Sequence, residues 1–106
     1  MEEFTIIYRI LRELRALMDC EEEDPNRLHP ERLKTTLEKR NSLLLLLKQD
    51  GYISDLDVSS YIGDAAPKVT IPPMPRITLK GLEYLQENSM MQKAAKTLKG
   101  IRDFLP

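Results

Sequence analysis

Gly51 divides the chain at its midpoint. Before it lies a helical run over 37–50 with five consecutive leucines at 43–47. After it come a broken extended segment and the run Arg76-Ile77-Thr78-Leu79-Lys80-Gly81-Leu82-Glu83-Tyr84-Leu85. Glycine readily takes the left-handed conformation that ends a helix, so Gly51 closes the run and Tyr52-Ile53 opens a strand. Thr78 is a natural cap for a helix over 79–87. Gly81 costs that helix about 1 kcal/mol relative to alanine, which is tolerable where another backbone comes close. A long apolar helix, a polar hairpin and a Thr-x-x-Gly helix start form the second half of a winged helix-turn-helix, an α+β fold.

Upstream, Phe4, Ile7, Leu11, Leu14 and Met18 recur at three- and four-residue spacing, widened by Ile6, Ile10 and Leu17, and predict a helix over 3–18. The stretch from Asp19 to His29 is polar and acidic, and Asp24-Pro25-Asn26 marks a turn. Pro30 suits the first position of a short helix over 30–35, and Thr35 or Thr36 can cap the helix that follows. The hairpin spans 52–77. Tyr52, Leu56 and Val58 anchor its outgoing strand, Gly63, Asp64 and Pro67 punctuate its tip, and 69–71 return. Pro72, Pro73 and Pro75 then stop regular pairing and leave Arg76-Ile77 as a final extended pair. Asn88-Ser89 interrupts the next helix, and Ser89 with Gln92 makes a capping box for an additional C-terminal helix over 90–104. The whole of 1–106 is one domain.

Formal net charge is -1, so the chain as a whole is not a strongly basic nucleic-acid binder. The charge is unevenly placed. It sums to -5 over residues 1–25, +3 over 26–50, -2 over 51–75 and +3 over 76–106. The two basic quarters make a positive face if they fold onto one side, and a mixed solvated surface otherwise. A lone cysteine, Cys20, excludes an intrachain disulfide and fits a reducing cytoplasm. Glu2 and Glu3 occupy the place of a basic leader region, so no signal peptide is expected.

Two helices joined by a brief turn and followed by a hairpin place the second helix for a major groove. Its candidate contacts are Lys34, Lys39 and Lys48 to phosphates and Arg40 and Asn41 to bases, with Ser42 weaker. Arg40 has a second reading, as a stem laid over the leucine face. Glu38 in the first turn and the acidic wing, with Asp55, Asp57 and Asp64 against Lys68, count against DNA. Leu45 or Leu46 must meet another element or a partner, because five leucines cannot share one helical face. In the last helix Met91, Ala94 or Ala95, Leu98, Ile101 and Leu105 form a stripe beside Lys93, Lys96, Lys99 and Arg102. It closes the domain's own core, makes a homodimer, or meets phosphates or a membrane surface.

Enzyme chemistry has little support. His29 is the sole histidine and sits before Pro30, where it reads as a loop or cap residue. One cysteine and one histidine do not make a usual zinc site, and the run Glu21 to Asp24 lacks calcium-loop spacing. No cofactor, metal or small-molecule substrate is implied.

The stretch Ile77-Thr78-Leu79-Lys80-Gly81-Leu82-Glu83-Tyr84-Leu85-Gln86-Glu87-Asn88-Ser89 resembles the small YjcQ-like proteins of Bacillus-type bacteria and their phages. The similarity runs from Phe4-Thr5-Ile6-Ile7-Tyr8-Arg9-Ile10-Leu11 through Gly51-Tyr52-Ile53 to Lys99-Gly100-Ile101. The resemblance implies a winged-helix fold and transfers no catalytic residue. The expectation is a cytoplasmic, prophage-type regulatory or accessory protein that binds double-stranded DNA. The alternative is a non-enzymatic protein-interaction module that keeps the fold without the DNA face.

Overall fold

A computed structural model describes residues 2–59 and 67–89. Helix α1 runs over Glu2–Leu17, with Glu2 and Glu3 in its first turn and Arg15 in its last, each matched to the helix dipole. Its buried residues are Ile6, Ile10, Leu11 and Leu14. The apolar stripe is therefore centred on the 6–10–14 line, rotated from the 4–7–11–14–18 line the spacing suggests. Phe4 and Met18, at the two ends, are exposed.

The acidic connection is more ordered than its composition implies. Asp24 caps a single 3-10 turn, Pro25–Leu28, by accepting from the Asn26 N–H at 3.1 Å. That turn delivers Leu28 into the core with no exposed surface. Helix α2, Pro30–Leu33, follows at once. His29 caps it, its Nδ1 accepting from the Glu31 N–H at 3.2 Å. Lys34 closes α2 in the left-handed region at φ 59°. Thr36 then caps α3, Leu37–Gln49, by accepting from the Lys39 N–H. Gly51 at φ 82° stops the chain just beyond α3.

The ribbon after Gly51 is a pair of short ladders rather than one continuous hairpin. Strand β1 (Ile53–Ser54) pairs antiparallel with β4 (Arg76–Ile77), and β2 (Asp57–Ser59) pairs with β3 (Lys68–Thr70). Between the ladders, Asp55 adopts φ 61° on the outgoing side, and the proline-rich residues 71–75 fill the returning side. The strand expected over 52–58 is thus split, and Ile53 is the buried side chain of β1. The break turns Leu56 and Met74 into the core, 4% and 3% exposed. Side chains serve the backbone groups that the ladders leave open. Lys48 Nζ donates to the Leu56 carbonyl at 3.2 Å, and Glu23 accepts from the Met74 N–H at 3.4 Å.

Residues 79–89 form helix α4. Thr78 Oγ1 accepts from the Gly81 N–H and donates to the Gly51 carbonyl at 2.6 Å. A Cβ on Gly81 would lie 2.5 Å from the Tyr52 carbonyl oxygen and 2.6 Å from Ile77 Cγ1. The Thr-x-x-Gly pattern therefore fastens the start of α4 to the residues that end α3 and open β1. Asn88-Ser89 does not interrupt α4. Both residues are helical, and Asn88 Nδ2 donates back to the Tyr84 carbonyl at 2.8 Å.

The α1, α2 and α3 helices share one core with the ribbon base and α4, built from Ile10, Leu33, Leu44, Ile53 and Leu85 among others. The architecture is an α+β winged helix-turn-helix in which α4 follows the ribbon. The wing tip at 60–66 and the helix expected over 90–104 lie outside the described residues.

Candidate functional site

The capped start at Thr36 and the leucine stripe set the rotation of α3, and that rotation decides the fate of its polar residues. Leu43, Leu44 and Leu47 face the core, and Arg40, one turn earlier on the same stripe, goes in with them at 9% exposure. Its Nη1 donates to the Leu28 carbonyl at 3.0 Å, and its Nε and Nη2 donate to Asn41 Oδ1 at 3.1 and 2.9 Å. Burial pulls the guanidinium pKa below its ordinary value. Arg40 is therefore a structural tie between α3 and the 3-10 turn, not a side chain reaching for a base edge. Asn41, half-buried, has its carbonyl oxygen occupied by that tie.

The other candidates divide. Lys39 lies against α1, its Nζ 3.3 Å from Glu3 Oε1 and 3.9 Å from Glu2 Oε2. The Glu3 carboxyl is held below the usual range, first by its own backbone N–H and then by Lys39. Lys48 is bound to the Leu56 carbonyl. Lys34 and Ser42 are exposed and make no side-chain hydrogen bond or ion pair among the described residues. The structure does not gather the six into one reading face.

The local +3 over residues 26–50 is also largely committed. Arg27 and Arg32 both pair with Glu13, at 3.1 and 3.2 Å, and pin the 3-10 turn and α2 to α1. With Lys39, Arg40 and Lys48, five of the six basic side chains in that quarter bind carboxylates or carbonyls of the fold. The outward side of α3 is left with Glu38, Ser42, Leu46 and Gln49 exposed.

Beside that outward side lies an apolar groove of about 410 Å³. Phe4 and Ile7 of α1 form one wall, and Leu43, Leu46 and Leu47 of α3 form the other. Tyr52 and Tyr84 complete it, packed edge to face with ring centroids 5.6 Å apart. Burial, and then the neighbouring Tyr52, raise the Tyr84 phenol pKa. Two carboxyl side chains, Glu3 and Asp50, also line the groove. Phe4 and Leu46 are each 53% exposed across it. The spacing of α1 signalled an apolar Phe4, and the leucine surplus signalled Leu46. That the two face each other depends on how α1 and α3 pack.

A second cleft, on another side of α1, differs in chemistry. Tyr8, Arg12 and Arg15 of α1 and Leu82, Leu85, Gln86 and Ser89 of α4 enclose about 580 Å³. The Arg12 guanidinium lies 5.9 Å from the Tyr8 ring centroid. Among the described residues, no group of three or more His, Cys, Asp and Glu side chains could hold a metal ion, and no helix is long and apolar enough to cross a membrane.

The family model described as YjcQ protein matches residues 8–104. The chain belongs to the YjcQ family. No curated protein and no solved structure matches it. The match runs from Tyr8 within α1 through α4, so YjcQ membership accompanies the fold rather than a particular activity.

Proposed function

We propose that the protein is a non-enzymatic interaction module, a winged helix that binds a protein partner through the groove between α1, α3 and α4. One observation carries this reading. The outward flank of α3 pairs an exposed leucine with an exposed phenylalanine across an apolar cleft, while the arginine best suited to read a base is buried in the fold. A folded chain gains by covering large apolar side chains, at roughly 25 cal/mol per Å² of apolar surface removed from water. A docking helix supplies such cover through residues at i, i+3, i+4 and i+7.

A second reading, binding to double-stranded DNA by a prophage-type regulator, draws on exposed Lys34 at the end of α2 and exposed Ser42 on the outward side of α3. Fluorescence anisotropy of the full chain against a mixed pool of labelled duplexes separates the two. At about 50 mM salt, partner binding predicts no saturable signal. DNA binding predicts affinity that falls by orders of magnitude toward about 200 mM. Salt-sensitive micromolar binding weakened by Lys34→Ala would overturn the proposal.

A further inference from the structure

The cleft where Tyr8, Arg12 and Arg15 of α1 face α4 shares no lining residue with the apolar groove. We infer that this cleft binds a phosphate-bearing small molecule with a flat apolar part, the chemistry of a mononucleotide. The inference is independent of the partner-binding reading.

Three observations carry it. First, the positive charge of the cleft is unpaired. Arg12 and Arg15, three residues apart on one helical face, both line it and are exposed. Among the described residues the basic partners in ion pairs are Arg27, Arg32 and Lys39, not these two. No carboxylate lines the cleft, whereas Glu3 and Asp50 line the apolar groove and Glu21, Glu22 and Glu23 line the cleft beside Arg76. From α4 it is lined by Leu82, Leu85, Gln86 and Ser89, at i, i+3, i+4 and i+7, which turns Glu83 and Glu87 away. Second, one arginine is already positioned. The Arg12 guanidinium lies 5.9 Å from the Tyr8 ring centroid, and a stacked, planar fork loses less freedom when it grips a phosphate. Third, the size and lining suit a nucleotide. The volume of about 580 Å³ is that of a small-molecule site. Buried Leu85 with half-buried Leu82 and Tyr8 give an apolar floor, and Gln86 and Ser89 offer amide and hydroxyl groups to the edge of a heterocycle. Two arginines match the charge of a single phosphate group, whereas a nucleic-acid backbone draws its affinity from many such contacts.

Isothermal titration calorimetry of the full chain with the common ribonucleoside monophosphates tests the site, with inorganic phosphate, the parent nucleosides and a short DNA duplex alongside. The expected result is saturable binding of at least one monophosphate, about tenfold or more tighter than inorganic phosphate or its nucleoside. Arg12→Gln and Arg15→Gln should each weaken it by about tenfold, with circular dichroism checking that each variant is folded. Leu46→Glu, in the separate groove, should leave it unchanged. Monophosphate binding that both arginine variants retain would place the ligand elsewhere and overturn the site. Inorganic phosphate binding as tightly as any monophosphate would overturn the flat apolar part. No monophosphate binding at millimolar concentration would overturn the proposal, and duplex binding lost in the same variants would then make the arginines contacts to a nucleic-acid backbone.

Discussion

The two sides of α3 obey different rules although they share one helix. On the inward side Arg40, Leu43, Leu44 and Leu47 are buried, and each position is fixed by what it touches. On the outward side Glu38, Ser42, Leu46 and Gln49 are exposed and none is held by the core. A recognition helix would reserve its cations for the outward side. Here the cation with the most hydrogen bonds is on the inward side, and a leucine occupies the outward one. Charge counted along a sequence therefore says little about charge offered to a ligand, because folding can consume it in capping and pairing.

Stability measurements can break this contrast. The largest effect is expected at Leu44, which has no exposed surface. Leu44→Ala should cost about 2–5 kcal/mol in urea unfolding, while Leu46→Ala should stay within about 0.5 kcal/mol. Similar losses at both would mean that the outward side is packed after all.

Arg40→Met keeps most of the stem but strands the buried Leu28 carbonyl. It should lower stability by about 1–3 kcal/mol, a penalty that an outward-reaching arginine would not show. Thr78→Ala should cost about 1 kcal/mol, since Oγ1 caps α4 and also holds the carbonyl of Gly51. An unchanged midpoint would show that this clasp does not secure α4 to the end of α3.

The smallest effect concerns the flank of α3, where Lys39 meets Glu3. The Glu3 pKa is lowered in the folded protein from its ordinary 4.5. Its contribution is thus present above that value and fades as pH falls through the folded pKa. Glu3→Gln should barely move stability at neutral pH, because the pair is exposed. It should slightly flatten the loss of stability on acidification below about pH 5. An unchanged acid slope would remove Glu3 from the account.

Much of the fold was legible because its signals are local. Gly51, Thr36, Thr78 and the prolines at 72, 73 and 75 act on their own backbone or the next turn, and each stands where the structure needs it. The split at Asp55 was not legible, since an aspartate at positive φ leaves no sequence signature distinct from a polar strand residue. Leu28 looked like part of an acidic loop because its burial comes from the 3-10 turn meeting α1 and α2. The candidate site was hardest for the same reason. Arg40 meets a carbonyl 12 residues back, and Lys39 meets a carboxylate 36 residues back. Helical spacing shows that Arg40 borders the leucine stripe, but not that a free carbonyl awaits it there.

The most direct test of the central claim, that Arg40 serves the fold and not a ligand, is an NMR titration of the full chain with a mixed-sequence duplex at low salt, following the Arg40 Nε–H and the amides of 37–49. The expected result is an Arg40 Nε–H signal that is protected from solvent exchange and unmoved by DNA. A signal that exchanges freely and shifts with the α3 amides as duplex is added would contradict it.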